Sequence, residues 1–114
     1  MTKKSFESLL LEAVDEALGL LGESARQSTY FHLEHKFKIS RNQIPSHLKG
    51  FEDGLEKIFG VGANYIEISI MKKLYEKTGK PLDWNEKEEL VFTEYVETVR
   101  KGFKDQNKVE PVKA

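Results

Sequence analysis

The chain has no cysteine, which excludes a disulfide scaffold, thiolate-bound zinc, iron–sulfur clusters and thiol catalysis, and fits a reducing compartment. Proline is scarce, at three residues, and there is one tryptophan. The apolar runs are only a few residues long, far below the roughly 20 that a membrane-spanning helix needs. Met1-Thr2-Lys3-Lys4 leads into an acidic helix rather than a signal-peptide core. A surplus of either charge is also lacking: 18 Lys and Arg stand against 19 Asp and Glu, a formal net charge of -1. Near-neutrality argues against the broad, non-specific nucleic-acid binding of a basic domain. Together these absences point to a soluble, cytoplasmic protein with no membrane partner.

What is present is enough for one domain and too little for two, at 114 residues of which 39% are hydrophobic. The charges are dominated by 15 Lys and 15 Glu, the pairing that hyperthermophile proteomes favour. Helical spacing runs through most of the chain. Phe6, Leu10, Ala13, Val14, Ala17 and Leu21 recur at three- and four-residue steps up to Gly22. From about Glu23 to Phe37, Arg26, Tyr30, Leu33 and Phe37 line one face. Ser40 and Gln43 have the S-x-x-Q spacing of a capping box, which predicts a short turn at Arg41 to Ile44 before Pro45 breaks the ladder.

A third helix starts near Ser46, carries Leu48, Phe51, Leu55, Ile58 and Phe59, and ends at Gly60. After Gly60-Val61-Gly62 the pattern is ambiguous. Tyr65 to Ile70 alternates like a strand, whereas Met71 to Lys77 favours helix. Helix is the better reading, because a lone strand has nothing to pair with and the run continues unbroken to Gly79. Lys80 to Trp84 reads as a connector and Asn85 as the N-cap of a last helix burying Val91, Phe92, Tyr95, Val96, Val99 and Phe103. The predicted fold is all-α: a compact bundle of four main helices plus the short turn, with the fourth helix central. Residues 1–104 form the single domain, and 105–114 are expected to be a disordered tail.

Several clusters carry residue types capable of chemistry. His32-Leu33-Glu34-His35 is the one place where metal-binding types adjoin, but it fits neither H-E-x-x-H nor its inverted form, and no metal is expected there. Gly60 and Gly62 precede a helix without either phosphate-binding glycine pattern, so they read as a corner. No Ser–His–Asp set can be placed. Asp15-Glu16, Glu52-Asp53 and Glu88-Glu89 sit on helix faces that also carry Lys and read as solvated surface. No catalytic residue, cofactor or metal is therefore expected.

Between Ser24 and Lys49 the charges are Arg26, Lys36, Lys38, Arg41 and Lys49 against Glu34 alone, interleaved with Tyr30, Phe31 and Phe37. This is a weak nucleic-acid patch of helix-turn-helix type, and it keeps a DNA-binding regulator as the alternative function. Glu67 falls near the middle of an apolar arc of roughly 200° on the fourth helix. A carboxylate there must be paired or hydrogen-bonded, so Glu67 is predicted to be buried with at least one donor, either as a structural acceptor or as a ligand or proton site. A third functional reading is a small-ligand sensor with a pocket near Glu67 and Tyr75. Phe31 projects away from the core stripe of the second helix, beside Ser28 and His35, and marks a candidate interface.

Leu21-Gly22, Tyr30, His32-Leu33, Ile44-Pro45, Phe51, Ile58-Phe59-Gly60-x-Gly62-Ala63, Glu67 and Leu74-Tyr75 give residues 8–79 a pattern that resembles the small archaeal all-helical family catalogued as a Nitrosopumilus output domain. Ile58 to Ala63 is the most specific part of it. The resemblance implies a signalling or regulatory interaction domain with no catalytic residue to carry over, and a signalling protein as partner. The expected function is accordingly a non-catalytic interaction domain that self-associates, with a homodimer formed around Phe31, His35 and Ser28 and loosened when the paired imidazoles protonate.

Overall fold

The computed structural model describes residues 4–79 and 92–109 of the chain, with side chains up to residue 103. The described residues form five α-helices, α1 (Phe6–Gly19), α2 (Glu23–Phe37), α3 (Leu48–Phe59), α4 (Ala63–Thr78) and α5 (Phe92–Val109), with 3-10 turns at Arg41–Ser46 and Gly60–Gly62 and no strand. The ambiguous segment after Gly62 is helix throughout.

Ser5 caps α1, its hydroxyl accepting from the Ser8 N–H at 3.0 Å. α1 buries Phe6, Leu10, Ala13, Val14, Ala17 and Leu18. Leu18 replaces the predicted Leu21, which is exposed with Leu20. The helix ends at Gly19, earlier than expected, and Leu21 and Gly22 complete a tight turn through bonds to Leu18 O and Gly19 O. Gly22, at φ 107°, then redirects the chain into α2. α2 ends on Lys38 in the left-handed region, where the Ile39 N–H bonds Leu33 O.

The predicted S-x-x-Q contact is present, with Gln43 Oε1 accepting from the Ser40 N–H at 2.9 Å. The turn nevertheless runs through Pro45 to Ser46. α3 starts at Leu48 rather than Ser46 and is stopped by Gly60 at φ 62°. α4 ends where the Gly79 N–H returns to Tyr75 O at 2.8 Å. It packs against α1, α3 and α5, the central position expected of it.

The core gathers Leu10, Val14, Leu18, Leu33, Ile44, Phe51, Leu55, Ile70, Met71 and Leu74. Burial of this kind stabilises by about 25 cal/mol per Å² of apolar surface removed from water. α5 is a full member of the bundle. It contributes Phe92, Val96 and Val99, with ring contacts from Phe92 to Phe51 and from Phe103 to Phe6. Arg100 ties it to the 3-10 turn, donating to Pro45 O while its guanidinium lies 5.3 Å from the centre of the Phe6 ring. The α5 backbone continues as helix to Val109, past the expected start of the tail at Asp105. The Lys80–Trp84 connector, the Asn85 cap, Val91 and residues 110–114 lie outside the described residues.

Candidate functional site

Glu67 is buried on α4, 5% exposed, as its place in the apolar arc predicts. The expected donor is not there: among the described residues Glu67 Oε2 has no hydrogen-bond partner. The neighbours are carboxylates instead. Glu52 and Glu56 occupy adjacent turns of α3, and the packing of α3 on α4 brings one carboxylate oxygen from each of Glu52, Glu56 and Glu67 to within 4.8 Å of one another. Burial first, then the charges of Glu52 and Glu56, push the Glu67 carboxyl up to about 7, with Lys49 opposing them.

The surroundings of the cluster are built from three helices. Thr93 Oγ1 on α5 donates to Glu52 Oε1 at 2.8 Å and so fixes that carboxylate. Lys49, one turn before Glu52 and Asp53, places Nζ 3.7 Å from Glu52 Oε1 and 3.5 Å from Asp53 Oδ1. Its side chain is 75% exposed, so the counter-charge it supplies is weak and screened. Glu56 is exposed and Glu52 is half-buried, which leaves the cluster with a wet rim and Glu67 as its floor. Glu52 is thus not the solvated surface residue that the Lys-bearing face of α3 suggests. The missed signal is the i, i+4 spacing of Glu52 and Glu56, a like-charge pair that costs an isolated helix stability. Tyr75, proposed with Glu67 to line a ligand pocket, lies largely at the surface.

The candidate interface is the outer face of α2. Ser24, Ser28, Phe31 and His35 are all exposed, and at 100° per residue they fall within a strip roughly 60° wide. Phe31 is 57% exposed, and its ring centre lies 4.1 Å from that of His35 and 5.7 Å from that of His32. Imidazoles and phenyl thus form one aromatic knob.

The candidate nucleic-acid patch is not assembled as a free basic surface. Arg41 grips Asp15 at two points, Nε to Oδ1 at 3.0 Å and Nη2 to Oδ2 at 2.6 Å. Arg26 is paired with Glu23 at 2.7 Å, and Lys49 with Glu52 and Asp53. Lys36 and Lys38 are exposed at the end of α2. Tyr30 also donates to Asp15, so the acid sits between a phenol and a guanidinium. Burial raises the Asp15 carboxyl, but the hydrogen bonds from Arg41 and Tyr30 outweigh it and hold the group below its usual value. This network joins α1, α2 and the 3-10 turn and has a structural role.

No helix among the described residues is long and apolar enough to cross a membrane. No protein-family description, curated protein or solved structure matches the chain.

Proposed function

We propose that the protein is a non-catalytic signalling or regulatory interaction domain that self-associates through the outer face of α2. The observation that carries this reading is the exposed Phe31 at the centre of Ser24, Ser28 and His35, a strip without formal charge in a chain that is 32% charged. Such a face offers a charged partner little to recognise, whereas a second copy of the same strip is its natural complement in an isologous contact. The residue pattern shared with the archaeal output-domain family points the same way, and it rests on that pattern alone. A DNA-binding role is the weaker reading, because Arg26, Arg41 and Lys49 are already engaged by carboxylates.

Sedimentation equilibrium tests the proposal. The wild type is expected to be a dimer at tens of micromolar and Phe31→Glu a folded monomer, since burying an unpaired carboxylate at an apolar contact is costly. A monomeric wild type overturns the self-association, and a Phe31→Glu dimer overturns the assignment to α2.

A further inference from the structure

We propose that Glu52, Glu56 and Glu67 form a binding site for a divalent cation of the calcium class. The inference does not rest on the α2 face, which is a different part of the molecule and a different chemistry. Three features of the cluster carry it.

The first is the donor set. Three carboxylates present hard oxygen ligands alone, the set that calcium and magnesium take and that zinc or copper sites rarely use without nitrogen or sulfur. The second is the spacing. Oxygens that all lie within 4.8 Å of one another fit around a cation with bonds of roughly 2.3–2.6 Å, where ligands on opposite sides stand about 5 Å apart. Magnesium demands near-ideal octahedral geometry and dehydrates reluctantly, so it suits three side chains from two helices less well.

The third is Glu67 itself. It is 95% buried by its 5% exposure, its Oε2 has no partner among the described residues, and a carboxylate oxygen of each of the other two acids stands beside it. Such a group is costly to bury charged unless a cation or a proton sits with it. The charged groups near it are Glu52, Glu56 and Lys49 on α3, and Thr93 on α5 bonds Glu52. The Lys49 side chain is 75% exposed and its contact with Glu52 is long at 3.7 Å, Thr93 holds Glu52 in place, and Glu56 is exposed to solvent. Water at that rim fills the remaining coordination positions.

The test is calorimetric titration of calcium into the full chain, freed of metal with a chelator, near pH 8, with magnesium in parallel. One saturable site is expected, calcium tighter than magnesium, with a dissociation constant of roughly 10⁻⁵–10⁻³ M. Glu67→Gln and Glu52→Gln should each weaken it by about tenfold or more through loss of a charged ligand. Glu34→Gln, exposed on α2, should bind as the wild type does. Amide shifts of the wild type on titration need no variant and should centre on Glu52, Glu56, Glu67 and Thr93. Absence of saturation by about 10 mM calcium, unweakened binding by Glu67→Gln, or shifts centred elsewhere overturns the proposal.

Discussion

Gly54 on α3 lies so close to Leu33 on α2 that a Cβ added to the glycine would stand 2.7 Å from Leu33 Cδ2, with Phe37 at 3.5 Å behind it. One turn earlier, a Cβ on Gly50 would meet Ile39 Cδ1 at 2.9 Å. The two glycines make a shallow trough along α3, and the end of α2 and the strap after it settle into that trough. In an isolated helix each glycine costs about 1 kcal/mol relative to alanine, so the approach of α2 is what justifies them.

Gly54→Ala sets that propensity gain against overpacking, which costs roughly 1–3 kcal/mol when the neighbours are fully buried. Leu33 is fully buried, so a net loss of up to about 2 kcal/mol is expected. Gly19→Ala at the end of α1 meets nothing within 4 Å and should gain about 0.4–1 kcal/mol. Urea midpoints of the two variants should therefore move in opposite directions. A Gly54→Ala protein as stable as Gly19→Ala would show that the trough is not tight.

The helices were legible because their apolar residues recur with the right period. Phe6, Leu10 and Val14 on α1, Phe51 and Leu55 on α3, and Ile66, Ile70 and Leu74 on α4 are all buried where spacing places them. Glu67 was legible as a buried acid for the same reason. Its neighbours were not. Spacing along α3 says that Glu52 and Glu56 share a face with each other, but which helix that face meets depends on how α3 and α4 pack, and no local pattern encodes that. Leu18 and Leu21 differ for a related reason. Both fit the stripe, and only the early end of α1 at Gly19 decides between them. Gly50 and Gly54 look like weak points of a helix until α2 is laid against them.

Glu67 should make the protein less stable as pH rises. Its carboxyl is pushed up to about 7 in the fold from a usual 4.5, so between those values the folded state holds a proton that the unfolded chain has released. Unfolding then releases protons, and stability falls with rising pH across this window. At about 1.4 kcal/mol per unit the loss is at most roughly 3 kcal/mol, complete above about pH 8. Glu67→Gln removes the titration and should be the more stable protein at pH 8, by about 1–3 kcal/mol, in chelator. Glu67→Leu should be tolerated too, since no donor among the described residues is left stranded, contrary to what a buried acceptor would require. Chemical denaturation at pH 5 and pH 8 measures both effects. A wild type equally stable at the two pH values, with Glu67→Gln unchanged from it, would show that this carboxyl is not perturbed.

Asp15 should give the opposite pH signature. Arg41 and Tyr30 hold its carboxyl below the usual 3.8, so the stability it contributes is fully present above that value and is lost as pH falls through its lower folded value. The Glu67 effect is already saturated in that range, which separates the two. Tyr30→Phe removes one donor to a charged acceptor that is only 24% exposed and should cost about 1.5–3 kcal/mol. Arg41→Ala should cost less, because its side chain is 40% exposed and its charge is partly screened. The two donors share one carboxylate, so their losses should not add. In a double-mutant cycle the pair should show a coupling of about 0.5 kcal/mol or more. Measured from pH 7 down through the acid range in which Asp15 itself titrates, followed by the NMR shift of its carboxyl carbon, the Tyr30→Phe penalty should shrink as Asp15 takes up a proton. A penalty that stays constant across that range would place the stabilising bond of Tyr30 somewhere other than the charged form of Asp15.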